Sequence, residues 1–190
     1  RVYLGGNIRK SVLEFLSKLH RGDIVVLELS SFQLADLAQE KKSPPIAVFT
    51  NLYRDHLNWH KSMEDYARAK TIIFKFQKPT DYLFANPADR LVRRLIKSAP
   101  SRVILPRLSP SLKKIVDENL GSHYGPAAAL AGAVARHYGV STSSFGRVLK
   151  NFRGLKERQQ KIATIGGVIF IDDTTATSPE AAVAALARFR

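Results

Sequence analysis

The stretch that decides the fold reads IVVLELSSFQ over residues 24–33. Its first four residues form a continuous apolar run rich in β-branched side chains, which is typical of a strand buried on both faces. Glu28 then stands at the carboxyl end of the strand, and two serines follow that can cap a helix. The stretch therefore predicts a buried strand that leads through polar residues into a helix, the unit from which parallel α/β sheets are built.

Further apolar runs of the same character lie at residues 46–49, 82–85 and 103–105. Apolar residues also recur with helical spacing, at about residues 9–19, 33–40, 62–76, 88–98, 110–118, 126–138 and 142–151. Such an alternation of strands and helices predicts an α/β fold in which a mostly parallel sheet is flanked by helices.

A polar segment near residues 153–161 separates this pattern from a second one. Apolar residues on both sides of Gly166-Gly167 predict a β-hairpin with a two-residue turn, and Ser178-Pro179 predicts a helix start with serine as the N-cap. We therefore expect one domain over residues 1–157 and the start of a second α/β domain over residues 158–190. The chain begins without Met and stops directly after a helical pattern, so we expect a piece of a longer protein.

The composition narrows the class of protein. In 190 residues there are 30 Lys and Arg against 16 Asp and Glu, a formal net charge of +14, and no cysteine. The absence of cysteine excludes a disulfide scaffold, a thiolate nucleophile and cysteine-ligated metal sites, and a reducing cytoplasm is the simplest compartment. No apolar run approaches the ~20 residues of a membrane span, so we expect no membrane partner.

The excess of basic side chains is one footprint of a nucleic-acid-binding module. The lysines and arginines are spread through amphipathic helical patterns, however, as they are on solvated helix faces. No compact basic run, zinc finger or aromatic RNA-binding motif is present. Nucleic-acid binding is therefore kept as a secondary alternative.

A first polar cluster follows the strand at 24–27, at the strand end where ligands of open α/β sheets gather. Glu28 in this cluster is a reasonable Mg²⁺ ligand. The simpler interpretation is a helix N-cap, either Ser30 or Ser31, with Glu28 hydrogen-bonded locally. Residue types alone leave both interpretations open.

Two more polar clusters follow later strands. His56 and His60 are four residues apart, a spacing that faces one way on a helix and can bind a metal. No third ligand is obvious, so a pair of surface histidines is the simpler interpretation. The segment 172–177, with paired carboxylates and hydroxyls before a helix start, suits a nucleotide or metal site and equally suits an ordinary capped turn.

Lys70 is the most informative single residue. It lies on a predicted helix face whose other members, at spacings of three and four, are apolar: Met63, Tyr66, Ile73 and Phe74. A lysine there either extends its amine outward to water or is partly buried, which lowers its pKa and raises the share of free amine. A free amine can react with CO₂ to give a carbamate, whose two oxygens suit Mg²⁺ beside Glu28.

Several motifs of nucleotide and acyl chemistry are absent from these 190 residues. There is no G-x-x-x-x-G-K-[ST] phosphate loop, no G-x-G-x-x-G fingerprint and no G-x-S-x-G nucleophile elbow. We therefore expect the cradle for any nucleotide triphosphate to lie outside this sequence. Hydrolysis through an acyl-enzyme has no support.

Taken in order, these segments resemble the Mur ligase family from residue 3 to about residue 187. The string ELSSFQL at residues 28–34 is the most specific part of the resemblance. The other matching stretches are Gly5-Gly6-Asn7-Ile8, Asn51 with Asp55-His56-Leu57 and His60, Tyr66-Ala67-Arg68-Ala69-Lys70, Gly154-Leu155 with Arg158, and Asp172-Asp173 with Ala176-Thr177.

The resemblance implies a fold and an activity. Mur ligases have three domains, and this chain would hold the later part of the central ATPase domain and the opening of the Rossmann-like C-terminal one. The likeness is greatest to members that add D-glutamate to UDP-N-acetylmuramoyl-L-alanine with ATP and Mg²⁺, through an acyl phosphate, in cytoplasmic peptidoglycan synthesis. It also implies that the full-length protein is a monomer and that the present 190 residues alone are inactive. Another Mur or a folylpolyglutamate-type ligase is the alternative within this class.

The resemblance also implies roles in catalysis and metal binding for three residues. By position, Glu28 and His56 would contribute to the Mg²⁺ site between phosphate and substrate. Lys70 would be the family's carbamylated lysine and would supply further oxygens to the metal. These three are the implied catalytic residues.

A second set of residues is implied in binding substrates. Arg158 and Asp173 would flank the ATP from the domain junction, and Thr177 would lie near the incoming amino acid. The muramoyl substrate would lie along three polar residues, which are Asn7, Ser30 and Gln33.

The chain departs from the family's pattern at three places. Thr175 stands where the family often has lysine, at the amino-acid end of the site. The adenine-side motif His-Asn-x-x-Asn reads His-Tyr-Gly-Pro-Ala over residues 123–127. Asn58 stands where an aspartate usually follows His-Leu.

Overall fold

The computed structural model describes residues 1–177 and 179–188 and has the predicted α/β class. Its strands are β1 (Val2–Gly6), β2 (Ile24–Glu28), β3 (Ile46–Phe49), β4 (Tyr82–Ala85), β5 (Arg102–Ile104), β6 (Gln160–Ile165) and β7 (Val168–Asp172). Its α-helices are α1 (Leu13–Leu16), α2 (Ser31–Leu37), α3 (Met63–Lys75), α4 (Arg90–Leu95), α5 (Pro110–Asn119), α6 (Gly125–His137), α7 (Thr142–Asn151) and α8 (Pro179–Arg188).

The parallel strands form two sheets within the described residues. Strands β3, β4 and β5 pair in that order, so that Leu83 lies opposite Ala47 on one side and Val103 on the other. Strands β1 and β2 form a separate parallel pair. Each connection between parallel neighbours contains a helix, as a parallel crossover requires, so the prediction of a mostly parallel arrangement flanked by helices is confirmed.

The first twenty residues differ from the sequence prediction. A strand at residues 2–6 was missed because two of its five residues are glycines, which weaken the pattern of a strand. The helix expected at 9–19 is shortened to α1, since Arg9 adopts a left-handed backbone with φ 59° and Lys10 forms a β-bridge with Gly6. The chain therefore turns at residues 7–10 before the helix begins.

The main core is built by the alternation of side chains along β4. Leu83 and Ala85 point to one face, where they pack with residues of β3, α3, α4 and the segments that directly follow β3 and α4: Ala47, Phe49, Leu52, Tyr66, Phe74, Val92 and Ile96. Phe84 points to the other face and packs against Leu130 and Ala133 of α6. The sheet is thus covered by helices on both sides, as its continuous apolar strands predict.

A second core lies among α5, α6 and α7. Its buried members are Val116, Leu120, Ala128 and Leu149. Close approach of α6 and α7 depends on Gly132, because a Cβ at this position would lie 2.7 Å from the Phe145 ring.

The last segment has the expected hairpin. Strands β6 and β7 are antiparallel, and the turn consists of Gly166 at φ 56° and Gly167 at φ 81°. Two consecutive left-handed residues are what a two-residue turn of the primed kind requires, and glycine adopts them without strain. Pro179 is the first residue of α8, and the predicted N-cap Ser178 lies outside the described residues.

We predict that Leu83→Ala will lower the free energy of unfolding by about 2–5 kcal/mol, because it removes a fully buried side chain and leaves a cavity. Leu13, which is 77% exposed, offers the matched control. Leu13→Ala should change the same quantity by less than about 0.5 kcal/mol. Urea unfolding measures both, and equal losses for the two variants would contradict the assignment of β4 to the core.

Candidate active site

Asn7 and Glu28 come together at the carboxyl end of the β1–β2 pair. Gly6 lies opposite Glu28 in the parallel register, and the Asn7 N–H donates to the Glu28 carbonyl at 2.7 Å. A Cβ on Gly6, whose φ is 98°, would lie 2.1 Å from that carbonyl oxygen, so glycine is required here. The close approach places the predicted substrate residue Asn7 beside the predicted metal ligand Glu28.

Ser30 and Gln33 form a capping box at the start of α2. The Ser30 Oγ accepts from the Gln33 N–H at 3.2 Å, and the Gln33 Oε1 accepts from the Ser30 N–H at 3.0 Å. Of the two serines considered as the N-cap, Ser30 is therefore the one used. Gln33 is exposed and Ser30 is half-buried at the strand end, so the predicted contact of both with substrate is sterically open.

Lys70 is partly buried on α3, as one of the two sequence interpretations proposed. Burial lowers the pKa of its amine, while the carboxylates of Glu28 and Asp55 oppose that shift. The amine therefore lies within electrostatic range of two carboxylates, one at the end of β2 and one in the loop after β3. Its Nζ is 5.8 Å from the centroid of the Tyr66 ring, one helical turn earlier.

Asp55 was not assigned a role by sequence reasoning. It acts on Lys70, and together with burial it raises the pKa of Tyr66. Its carboxylate also accepts from the backbone N–H of His56 at 2.7 Å. The sequence signal for Asp55 is its position directly before His56, in the polar segment that follows the strand at residues 46–49.

The two histidines differ from the predicted surface pair. His56 is exposed in a turn at φ 55°, with its ring edge-on to Phe32 at 5.5 Å and to Tyr66 at 5.8 Å between centroids. His60 is only 5% exposed, so the surface interpretation is wrong for this residue. The reason is that Phe32 and Tyr66 close over its ring, which spacing along the sequence cannot show.

The donor chemistry around Lys70 suits Mg²⁺. In the part of the chain that the structure describes, no three His, Asp or Glu side chains are grouped to hold a metal by themselves. Mg²⁺ is usually bound by one or two carboxylates together with water and substrate phosphates rather than by an all-protein cage. The carboxylates of Glu28 and Asp55, both within range of Lys70, fit that requirement.

Hydrogen bonds connect residues 157–159, at the junction between the two sequence patterns, with residues 173–175, which follow β7. Asp173 accepts from the Gln159 N–H at 3.1 Å, and the Thr175 hydroxyl donates to the Glu157 carbonyl at 2.8 Å. These bonds tie the strand end after β7 to the turn that contains Arg158. The two residues predicted to flank ATP, Arg158 and Asp173, are thereby brought into one region.

Two further contacts connect this junction with the rest of the chain. The Thr177 hydroxyl lies 3.5 Å from a carboxylate oxygen of Asp55, so the predicted amino-acid end reaches the surroundings of Lys70. The pKa of His123 is lowered by burial and by Arg188, while Asp173 opposes the shift. Segments far apart in sequence therefore meet at one face of the molecule.

A carboxylate at the end of β2 and a second one in the loop after β3 lie within electrostatic range of a half-buried amine, at the end of the parallel strands where α/β proteins bind their ligands. The Mur ligase middle domain matches residues 8–125, and the chain belongs to the Mur ligase family.

Curated relatives carry the name UDP-N-acetylmuramoylalanine–D-glutamate ligase. The protein from Symbiobacterium thermophilum is 35% identical over 97% of this chain and 45% of its own length. The protein from Roseiflexus sp. is 32% identical over 98% of this chain and 47% of its own length. The chain thus spans about half the length of the curated relatives it matches.

Solved structures support the same fold. The alignment with MurF from Acinetobacter baumannii covers the whole of this chain and 49% of the MurF chain, with a TM-score of 0.71 at 17% identity. The alignment with MurF from Thermotoga maritima, solved in complex with ADP, covers the whole of this chain and 51% of the MurF chain, with a TM-score of 0.70 at 18% identity.

Replacing Lys70 by methionine tests its partial burial. The pKa of the Lys70 amine is lower in the folded chain than in the unfolded chain, where it is about 10.4. At pH values between these two pKa values, the unfolded chain carries a proton on this amine that the folded chain lacks. Stability of the unmodified protein therefore rises with pH across this window. We predict that Lys70→Met raises the free energy of unfolding at neutral pH and that the gain shrinks as the pH approaches about 10.4.

Urea unfolding at a series of pH values measures this difference. Lys75 is exposed at the end of the same helix and provides the control. Lys75→Met should show no comparable dependence on pH. The same pH profile for both variants would argue against a partly buried amine at position 70.

Proposed function

We propose that the protein to which this chain belongs is an ATP-dependent ligase that adds D-glutamate to UDP-N-acetylmuramoyl-L-alanine in peptidoglycan synthesis. The observation that carries the proposal is the Lys70 amine, half-buried within range of the carboxylates of Glu28 and Asp55 in a Mur ligase middle domain. The names of relatives at 35% and 32% identity support the choice of D-glutamate. Since the chain spans about half of those relatives, the reaction is assigned to the whole protein.

The proposed reaction proceeds in two steps. A carboxylate oxygen of the muramoyl precursor attacks the γ-phosphorus of ATP, the bond to the leaving ADP oxygen breaks, and an acyl phosphate forms. The D-glutamate nitrogen then attacks the acyl carbon, an amide bond forms, and inorganic phosphate leaves while the amine gives up its protons to a base or water. Negative charge builds on phosphoryl oxygens in the first step and on the acyl oxygen in the second, so electrostatic stabilisation dominates.

Lys70 is proposed to act as a carbamate. Burial favours the free amine, whose nitrogen forms a bond to the carbon of CO₂ and releases one proton, so the side chain changes from a potential cation to an anion. Glu28, His56 and carbamylated Lys70 are the proposed holders of Mg²⁺. The metal, when bound, would neutralise charge on the phosphoryl oxygens.

The remaining predicted residues are proposed to bind substrates. Asn7, Ser30 and Gln33 line the strand ends beside Glu28 and would orient the muramoyl chain through their polar groups. At the junction, Arg158 and Asp173 would bind the nucleotide. Thr177, which contacts Asp55, would lie next to the incoming D-glutamate.

We infer a cytoplasmic protein, because ATP and a nucleotide-linked precursor are cytoplasmic substrates of the proposed reaction. The family resemblance implies that the full-length protein is a monomer. Among the described helices, none has the length and apolar character needed to cross a bilayer. The division into residues 1–157 and 158–190 is likewise our proposal, and the hydrogen bond from the Gln159 N–H to Asp173, which joins two parts of the second segment, supports a boundary near residue 157.

We predict that the protein from its complete reading frame releases ADP from ATP only when Mg²⁺, UDP-N-acetylmuramoyl-L-alanine and D-glutamate are all present. Lys70→Arg should lower kcat at least about 10²-fold, the order of loss when one electrostatic stabiliser is removed, because arginine stays cationic and forms no carbamate. Lys75→Arg, on the exposed side of the same helix, is the control. A coupled assay of ADP release, run with one amino acid at a time, compares the unmodified protein with the Lys70→Arg and Lys75→Arg variants.

The outcome separates the proposal from its alternatives. Dependence on a different amino acid would assign the protein to another Mur or folylpolyglutamate-type ligase. If none of the amino acids tested supports ADP release, the ligase proposal is refuted. Full activity of Lys70→Arg would refute the carbamate.

The net charge of +14 supports a separate test for a nucleic-acid-binding module. For such a module the affinity falls steeply with salt, with a slope of about −0.9 per neutralised phosphate on duplex DNA. We predict weak binding of DNA and RNA at moderate salt, measured by fluorescence anisotropy of labelled duplexes. A tight complex with a steep slope would instead favour the nucleic-acid alternative.

A further inference from the structure

We propose that His60 is a positioning residue that sets the spacing between α2 and α3, and with it the placement of Glu28 and Ser30 relative to Lys70. The catalytic consequence of this proposal rests on the proposed function. The helix spacing itself can be measured without any reaction. None of the roles assigned above involves the His60 side chain.

The two ring nitrogens of His60 link the starts of both helices. Nε2 lies 2.9 Å from Oγ of Ser31, the first residue of α2. Nδ1 lies 3.6 Å from a carboxylate oxygen of Asp65, in the first turn of α3. Ser31 and His60 are 1% and 5% exposed, so water has no easy access to replace their contact, and its loss would leave a buried hydroxyl unpaired.

The faces of the same ring are also occupied from both helices. Phe32 of α2 is stacked on His60 with 5.7 Å between centroids and 6° between planes. Tyr66 of α3 lies 5.0 Å away at 36°. Aromatic pairs of this kind prefer particular distances and angles, so the ring defines a geometry in addition to filling space.

The helices that His60 connects present the proposed catalytic groups. Helix α2 begins at the end of the segment that contains Glu28 and the N-cap Ser30. Helix α3 carries Lys70 one turn after Tyr66, which contacts His60 directly. A change in the separation of the helices therefore moves the carboxylate and the amine relative to each other, and a misplacement of about 1 Å can cost about 10²-fold in rate.

A purely structural role would have a different signature. A buried histidine that only fills the core would, when replaced, lower stability and leave the geometry and kcat of the folded molecules unchanged. The test must therefore measure helix spacing and kcat in variants that remain folded. Two conservative replacements separate the ring nitrogens, since the Gln amide can reach the position of Nε2 and the shorter Asn amide reaches only that of Nδ1.

These 190 residues contain no cysteine, so two introduced cysteines can carry spin labels at chosen positions once any cysteine elsewhere in the complete protein is replaced by serine. Asp36→Cys on α2 and Lys75→Cys on α3 are both at exposed positions. We predict that pulsed electron paramagnetic resonance on the complete protein gives a shifted or broadened distance distribution for His60→Asn. The distribution for His60→Gln should stay that of the unmodified protein, because the contact with Ser31 is retained.

Ser31→Ala provides a second, independent variant. It removes only the oxygen that His60 contacts, and it should shift the distance distribution in the same direction as His60→Asn. This variant also keeps the test decisive where His60→Asn fails to fold. Unchanged distances in the folded variants that lack the Ser31 contact would overturn the proposal.

Kinetics test the consequence for the reaction. We predict that His60→Asn lowers kcat about 10²-fold with an unchanged KM for ATP, and that His60→Gln restores most of the loss. A changed distance with unchanged kcat would overturn the catalytic part of the proposal. If the unmodified protein shows no D-glutamate-dependent ADP release while the distances still shift, the proposed function fails and the role of His60 in helix spacing stands.

Discussion

The packing of α3 against the β3–β4 sheet is the constraint on which the site depends. Tyr66 and Phe74 of this helix are buried in the main core, at 6% and 1% exposure. Lys70 lies four residues after the first and four before the second, so helical periodicity turns its side chain toward the same face. A lysine in that position loses part of its hydration, and its pKa falls. Hydrophobic burial elsewhere on the helix thus offsets the cost of a reactive amine.

A second constraint brings the partners of Lys70 to it. Strands β2 and β3 belong to different sheets; β2 ends at Glu28, and the loop after β3 contains Asp55. These carboxylates lie near one amine in a structure where α2 packs against α3, with His60 between them. The junction adds Thr177, whose contact with Asp55 extends the same face toward the last segment. The site is therefore assembled from several local structures, each stable for its own reason.

Much of the fold could be predicted because its signals are local. The strand at β2, the helical spacing on α3 and the Gly166-Gly167 turn each depend on residues close together in the chain, and each was confirmed. The burial of β2 on both faces was predicted wrongly, because in the described structure β2 forms a two-stranded sheet with β1 that leaves Val25, Val26 and Leu27 exposed. The errors fall where distant residues decide the conformation. Strand β1 is held by its pairing with β2, and Lys10 by its bridge to Gly6, so neither is visible in the spacing of apolar residues.

The sequence by itself determined the α/β class, the strand ends that carry polar residues, the family resemblance and the two possible states of Lys70. Only the tertiary structure decided between those states, because burial depends on which elements cover a side chain. It also showed that His60 is enclosed and that Asp55 acts on Lys70. The physical reason is the same in each case. Residue type and spacing define what a side chain can do, whereas desolvation and electrostatic partners come from segments that meet only when the chain is folded.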